Sequence, residues 1–390
     1  MAKRRASLLK FQTTTKDTPE YRTWFRGEHT NILPHNRHLF TPEGIGKYVL
    51  HGWTPEAPVI GTDTQVTAFG SCFAANISNW LSQRNYNVLN KAADAKRAYV
   101  VGCGEGMVNS FVILQQFEWA WENQIFQDEL WHGYDAATYG YDPEVQAETK
   151  RIFDATDVFI LTFGLSEIWY DAVTENVFWR TIPKDVYDPE RHRFRVSSVA
   201  ENADNLRRIY ALIRKHRPDA KVIFTLSPIP LQATFRNNSC ISSNAVSKGV
   251  LRVAIDEVVR EKADEGVLHY WPSYELITDV FQQPYKDDRR HPKEQVLDFI
   301  MTLFERTWCV DSDLTDTDML RAYVMAGAAS GQFPPVLERL AADRRGFRMR
   351  RVMDKGPLME DPRTDKALRS VLQPLVDAWD APAEEPVATT

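Results

Sequence analysis

The sequence predicts an α/β chain built on a doubly wound, mainly parallel sheet flanked by helices, with one β-hairpin inserted. Three observations predict it. Four short β-favouring apolar runs, "QVTAF", "DVFILTF", "KVIFTLS" and "GVLHYWPS", end at Phe69, Phe163, Ser227 and Ser273. They are nearly continuous rather than alternating, which suits strands buried on both faces of a parallel sheet. Segments with apolar residues at helical spacing lie between and after them, so strand and helix alternate along the chain.

Taken in order, residues 1–62 are rich in Pro, Gly, His and aromatics without periodicity and read as an irregular arm packing on the core. After the first strand, Ile77, Trp80 and Leu81 mark an amphipathic helix starting near Ala74. Val108, Phe111, Val112, Gln115 and Trp119 mark a second. "VTENVFWRTIPKDVYDPERHRFRVSS" reads as the hairpin, with Thr, Val, Phe and Trp on one arm and "RFRV" on the other. Leu206, Ile209, Tyr210 and Ile213 form a third helix that "RKHRPDA" closes with its proline. Val246, Val250, Leu251, Val253, Ala254 and Val258 form a fourth. Val296, Phe299, Ile300, Leu303 and Phe304 form a fifth, launched by Pro292 near its first turn. Residues 63–310 thus carry the main domain and 311–355 a helical extension. Residues 356–390 are a charged tail whose end, "DAPAEEPVATT", is too polar to fold.

Composition excludes several function classes. The formal net charge of −6 gives no electrostatic reason for a nucleic-acid partner. The four cysteines, Cys72, Cys103, Cys240 and Cys309, form no CxxC pair and have no His neighbours at zinc-ligand spacing. They read as free thiols of a reducing compartment, and no metal is expected. The basic N-terminus lacks the apolar run of a signal peptide, and no window approaches the roughly 18 apolar residues of a membrane span. The expectation is a cytoplasmic chain.

In open α/β sheets, ligands bind beyond the carboxyl ends of the strands. The first strand ends on Gly70-Ser71-Cys72, the second on Gly164-Leu165-Ser166-Glu167, and the third on "SPIPLQATF". The fourth is followed by "YKDDRRHP", with Asp288 and His291 three positions apart. A thiol at a helix N-terminus beside an imidazole is set up as a nucleophile, because both favour the thiolate. In that reading Cys72 attacks, His291 handles the proton and Asp288 orients the ring. Ser71 is the alternative nucleophile if the register shifts by one. Glu167 reads either as a second acid or as a carboxylate at a helix start. Ser243 and Lys248, with Arg252 one turn on, form a basic wall for an anionic ligand or a solvated helix face; Arg289 and Arg290 offer the same choice.

Gly-Ser-Cys-Phe-Ala at 70–74 resembles the signature of the GSCFA family. "LTFGLSEIW", "LSPIPLQATF", the SxxxxSK run from Ser243 to Lys248, "YWPSYEL" and "DDRRHP" extend the likeness over roughly residues 65–305. That family is grouped with the SGNH hydrolases, which implies a flavodoxin-like sheet and an acyl-transfer reaction. Laid on the SGNH blocks, Cys72 takes the nucleophile position, Asp288 and His291 complete a triad, and Ser166 stands where an oxyanion-holding Asn is usual. Asn109 then becomes the amide nearest to hand, and Gly106 a backbone N–H donor.

The resemblance implies an esterase or O-acyltransferase acting on a small-molecule or glycan ester, with no cofactor. The rival is a non-catalytic module that binds a glycan or lipid head group on the same fold. A third reading rests on "AYVVGCGEGMVNS", residues 98–110, which resembles the glycine-rich loop of S-adenosylmethionine-dependent methyltransferases. Such a loop has to end a buried strand.

Overall fold

The computed structural model describes residues 29–35, 39, 42–91, 98–102, 106–126, 130–133 and 135–331. In chain order the elements are α1 (Pro42–Tyr48), β1 (Val66–Phe69), α2 (Cys72–Gln83), α3 (Tyr99–Gly102), α4 (Ser110–Glu122), β2 (Trp131–His132), β3 (Thr138–Tyr139), α5 (Pro143–Ala155), β4 (Val158–Phe163), β5 (Glu167–Asp171), β6 (His192–Val196), α6 (Val199–His216), β7 (Lys221–Leu226), α7 (Cys240–Glu261), β8 (Leu268–Trp271), α8 (Ser273–Val280), α9 (Glu294–Trp308) and α10 (Asp316–Ala329).

The four expected strands form one parallel sheet in the order β1-β4-β7-β8. Their side chains alternate between two cores. Phe159, Leu161, Phe163, Val222 and Phe224 face one, packed under α4, α5, α6 and α7. Val158, Ile160 and Ile223 face the other, under α2, α8 and α9. Burial on both faces is why the strands read as continuous apolar runs.

The winding reverses at β1. After α2 the chain returns along the outer edge of β1, where Val88 pairs in parallel with Val66 and the Val66 N–H donates to the Asn87 carbonyl at 2.9 Å. It then re-enters the sheet at β4, on the other side of β1. This reversal between β1 and β4 is where a doubly wound sheet opens a crevice at its carboxyl edge.

Gly70 lets the chain leave the sheet there. Its φ of +129° is open to glycine, and a Cβ would run into the Thr162 carbonyl of the neighbouring strand. Ser71 then caps α2, its hydroxyl accepting the Phe73 N–H at 3.2 Å. Helix α2 therefore begins at Cys72, two residues before the expected start.

Two expectations need correction, and one remote alternative loses its footing. The hairpin's "RFRV" arm, β6, pairs with β5, Glu167–Asp171, rather than with the Thr-Val-Phe-Trp segment. That segment instead runs antiparallel along the other edge of β5, with Val177 bridging Tyr170 and the Phe178 N–H donating to the Trp169 carbonyl at 2.8 Å. Glu167 consequently opens a strand and is no helix-start carboxylate. The glycine-rich stretch does not end a strand either, since Tyr99–Gly102 is helical. That removes the structural condition for the methyltransferase reading; Cys103 and Gly104 lie outside the described residues.

Helix α5 was not anticipated, although Asp142 caps it, accepting the Glu144 N–H at 2.8 Å, and Pro143 occupies its first turn. No described helix is long and apolar enough to cross a membrane. Of the expected extension, α10 is described. Residues 332–355, the expected tail 356–390 and residues 1–28 of the expected arm lie outside the described residues.

Candidate functional site

A cavity of about 510 Å³ opens at the carboxyl edge of the sheet, over the reversal. Ser71 and Cys72 line it from the exit of β1, Gly164 and Leu165 from the exit of β4, and Ser227 with Ile229–Ala233 from the exit of β7. Five aromatic side chains, Trp169, Phe178, Trp179, Phe194 and Phe235, stand in the remaining wall. Such a chamber, largely apolar with a few convergent polar groups, is the usual form of a small-molecule site.

Cys72 is the first residue of α2 and is half-buried on the cavity wall. There it meets the positive end of the helix dipole. Ser71, its neighbour, is buried and its oxygen is engaged as the cap, which suits a turn role.

Asn109 caps α4. Its Oδ1 accepts the Val112 N–H at 3.0 Å, so Nδ2 is the amide group left to donate to a ligand. Gly106 lies beside it on the wall, and a Cβ there would collide with the Arg180 guanidinium. Gly164 closes the same corner. Its N–H donates to the Val108 carbonyl at 2.6 Å, and a Cβ on it would press on Val108 at 3.1 Å.

Asp288 and His291 sit on an exposed turn. Nδ1 of His291 lies 2.5 Å from Asp288 Oδ2, and Asp288 Oδ1 accepts the N–H groups of Arg290 and His291 at 2.9 and 3.0 Å. The imidazole bond, joined by these two N–H groups, holds the Asp288 carboxyl far below the ordinary carboxylate range. The turn is pinned to the site: Tyr285 donates to the Pro228 carbonyl at 2.9 Å, and Tyr285 bridges Pro292. Arg290, between the pair, lines the cavity, whereas Asp288 and His291 stand outside its wall. Arg289 takes the left-handed backbone conformation at φ +58° that turns the chain here.

Four predicted residues are placed otherwise than expected. Lys248 is no solvated wall: it is 2% exposed, and its ammonium donates to the carbonyls of Gly164, Ser227 and Ile229 at 2.6, 2.7 and 2.7 Å. Ser243 is buried with its hydroxyl on Asn238 Oδ1. Arg252 pairs with Glu275 at 2.6 Å and lies over the Tyr270 ring at 4.4 Å. Ser166 is fully buried off the cavity. Its N–H goes to Ser247 Oγ, its carbonyl accepts the Ser197 N–H and hydroxyl, and its own hydroxyl is enclosed without a partner.

Glu167 does line the cavity, 7% exposed. Oε1 accepts the Thr234 hydroxyl at 2.9 Å while Oε2 is buried without a partner. Burial raises its carboxyl above the ordinary value, against the Thr234 bond and the charge of Arg236.

Sequence reasoning missed Arg180 and the aromatic wall. Arg180 and all the wall aromatics but Phe235 come from β5, β6 and the segment between them; Phe235 comes from the loop after β7, and the indole of Trp169 packs edge-on to it at 4.9 Å. The run "VFWR" had supplied the signal, with an arginine immediately after two aromatics of the hairpin.

Among the described residues, no group of three or more His, Cys, Asp or Glu side chains is placed to hold a metal ion. No curated protein matches the chain. The family model for the GSCFA family matches residues 65–304, from the residue before β1 to within α9. It takes in all four strands of the sheet and every predicted site residue described above. With its Gly-Ser-Cys signature standing at the exit of β1, the chain belongs to the GSCFA family.

Proposed function

We propose that the chain is an SGNH-like acyl-transfer enzyme, an esterase or an O-acyltransferase, with Cys72 as nucleophile. The observation that carries the reading is the seat of Cys72: first residue of α2, half-buried on the wall of the cavity at the point where the sheet reverses. The Cys72 thiolate attacks the ester carbonyl carbon, and the carbonyl electron pair moves to oxygen. Asn109 Nδ2 and the Gly106 N–H receive that oxyanion; each such donor is worth about 3 kcal/mol in a preorganised site. Collapse re-forms the carbonyl, breaks the bond to the alkoxide, and leaves a thioester on Cys72. The alkoxide takes its proton from the His291 imidazolium, which Asp288 orients.

Water or an acceptor hydroxyl, deprotonated by His291, then attacks the thioester and returns Cys72 as thiolate. Trp169 and Phe235 offer two aromatic rings set edge to face and Glu167 a carboxyl group on the same wall, which favours a glycan ester. His291 stands outside the cavity wall, so the reading requires the tip of the turn, residues 288–291 held together by Asp288, to move toward Cys72 about its Tyr285–Pro292 base when substrate binds.

One observation favours the binding-module reading. Ser166, in the position of the usual oxyanion amide, is turned away from the cavity. Hydrolysis of p-nitrophenyl acetate distinguishes the two. Acyl transfer predicts turnover that falls at least about 10²-fold in Cys72→Ala and in His291→Ala but less than tenfold in Ser71→Ala. Turnover that survives Cys72→Ala, or none in the intact protein, overturns the reading.

A further inference from the structure

A lysine enclosed in a fold without a carboxylate partner is costly, because an ammonium loses its hydration. Lys248 is such a residue. Its three N–H groups go to three carbonyls, two from the exit of β7 and one from the exit of β4. Ser247, one position earlier, accepts the Ser166 N–H at 2.8 Å, so two successive residues of α7 hold both strand exits. Three of the bound residues, Gly164, Ser227 and Ile229, line the cavity. Two groups on other elements couple electrostatically to the ammonium: the Cys72 thiol at the start of α2, when ionised, and the Arg290 guanidinium of the turn.

We propose that Lys248 is a positioning residue for Cys72: its ammonium clamps the strand exits that floor the cavity and favours the thiolate through space. Every N–H of the ammonium is committed to a carbonyl, which leaves none to hydrogen-bond the sulfur. The influence is therefore electrostatic, and it is mutual. A thiolate raises the basicity of the lysine as the ammonium favours the thiolate. Burial, with Arg290 acting the same way, pulls the lysine down to about 7 against that effect of Cys72. Loss of the proton also leaves two N–H groups for three carbonyls, so charge and clamp weaken together.

The proposal rests on Cys72 as the reactive thiol, and its test does not require turnover. The rate of Cys72 alkylation by iodoacetamide, read by peptide mass spectrometry on the full chain between pH 5.5 and 9.5, is compared in the intact protein and Lys248→Met. The expected result is a roughly tenfold lower rate at pH 7 with the midpoint moved up by about one unit, while Cys240 is unchanged. A rate that drops equally at every pH, or an unmoved profile in a folded variant, overturns it.

Should Lys248→Met fail to fold, the intact protein answers. By NMR of ¹³Cε-labelled lysines, one resonance is expected to titrate near pH 7 and to shift downward in Cys72→Ala. A Lys248 resonance that titrates with the surface lysines, or is indifferent to Cys72→Ala, overturns the proposal. Coupling found in a protein that hydrolyses no ester would refute the acyl-transfer reading and leave the role of Lys248 standing.

Discussion

Asp288 holds His291 in a closed turn: one carboxylate oxygen lies 2.5 Å from Nδ1 while the other accepts the N–H of the same residue at 3.0 Å. Nδ1 and the main chain of the histidine are both fixed, so Nε2 is the nitrogen left to handle a proton. The lowered Asp288 carboxyl stays ionised well below neutral pH. A depressed carboxylate contributes stability above its unfolded value and loses it only in strong acid. Asp288→Asn keeps the turn's acceptor oxygen but reverses the ring's bonding. Ester turnover should fall about 10²–10⁴-fold with an unchanged melting temperature within a few degrees, read by steady-state kinetics and calorimetry.

Asn109 has two separable duties. Asn109→Ser retains an oxygen that can cap α4, so stability in urea should change by less than about 1 kcal/mol. The amide donor is lost, and ester turnover should fall by about 10²-fold or more. Equal losses of stability and turnover would reduce Asn109 to a helix cap.

Gly70 is required by the backbone. Gly70→Ala forces a residue with a Cβ to φ +129° and against the Thr162 carbonyl. Strain and overpacking together should cost about 2–5 kcal/mol, measured as a lower urea midpoint at an unchanged slope.

Glu167 carries a pH signature of its own. Its carboxyl is raised by burial, so the folded chain holds that proton more tightly than the unfolded one. The linked stability is complete in acid, below the unfolded value, and is lost as pH rises through the folded one. Glu167→Gln should accordingly raise the melting temperature more at pH 7.5 than at pH 4.

The four sheet strands were legible because each is a nearly continuous apolar run, the pattern that a strand covered on both faces leaves. Gly70, Ser71 and Cys72 were legible as a strand-to-helix corner, and Asp288 with His291 as a pair local in sequence. Lys248 was misread because its partners lie 84, 21 and 19 residues away, on two strand exits. Spacing along α7 alone made it a helix-face cation. The helix-start reading of Glu167 failed for a similar reason: the partner that makes it a strand residue is Val196. Helix α5 had its signal in Asp142-Pro143, a cap followed by a first-turn proline, which went unused beside the longer apolar patterns.

The central claim is a covalent bond to one sulfur atom. The full chain is incubated with p-nitrophenyl acetate, quenched in acid within seconds, digested and mapped by mass spectrometry. The account predicts an acetyl group on the peptide carrying Cys72, accumulating further in His291→Ala if deacylation is the slower step and absent from Cys72→Ala. An acetyl group on Ser71, or ester turnover with no acylated peptide at either position, would contradict it.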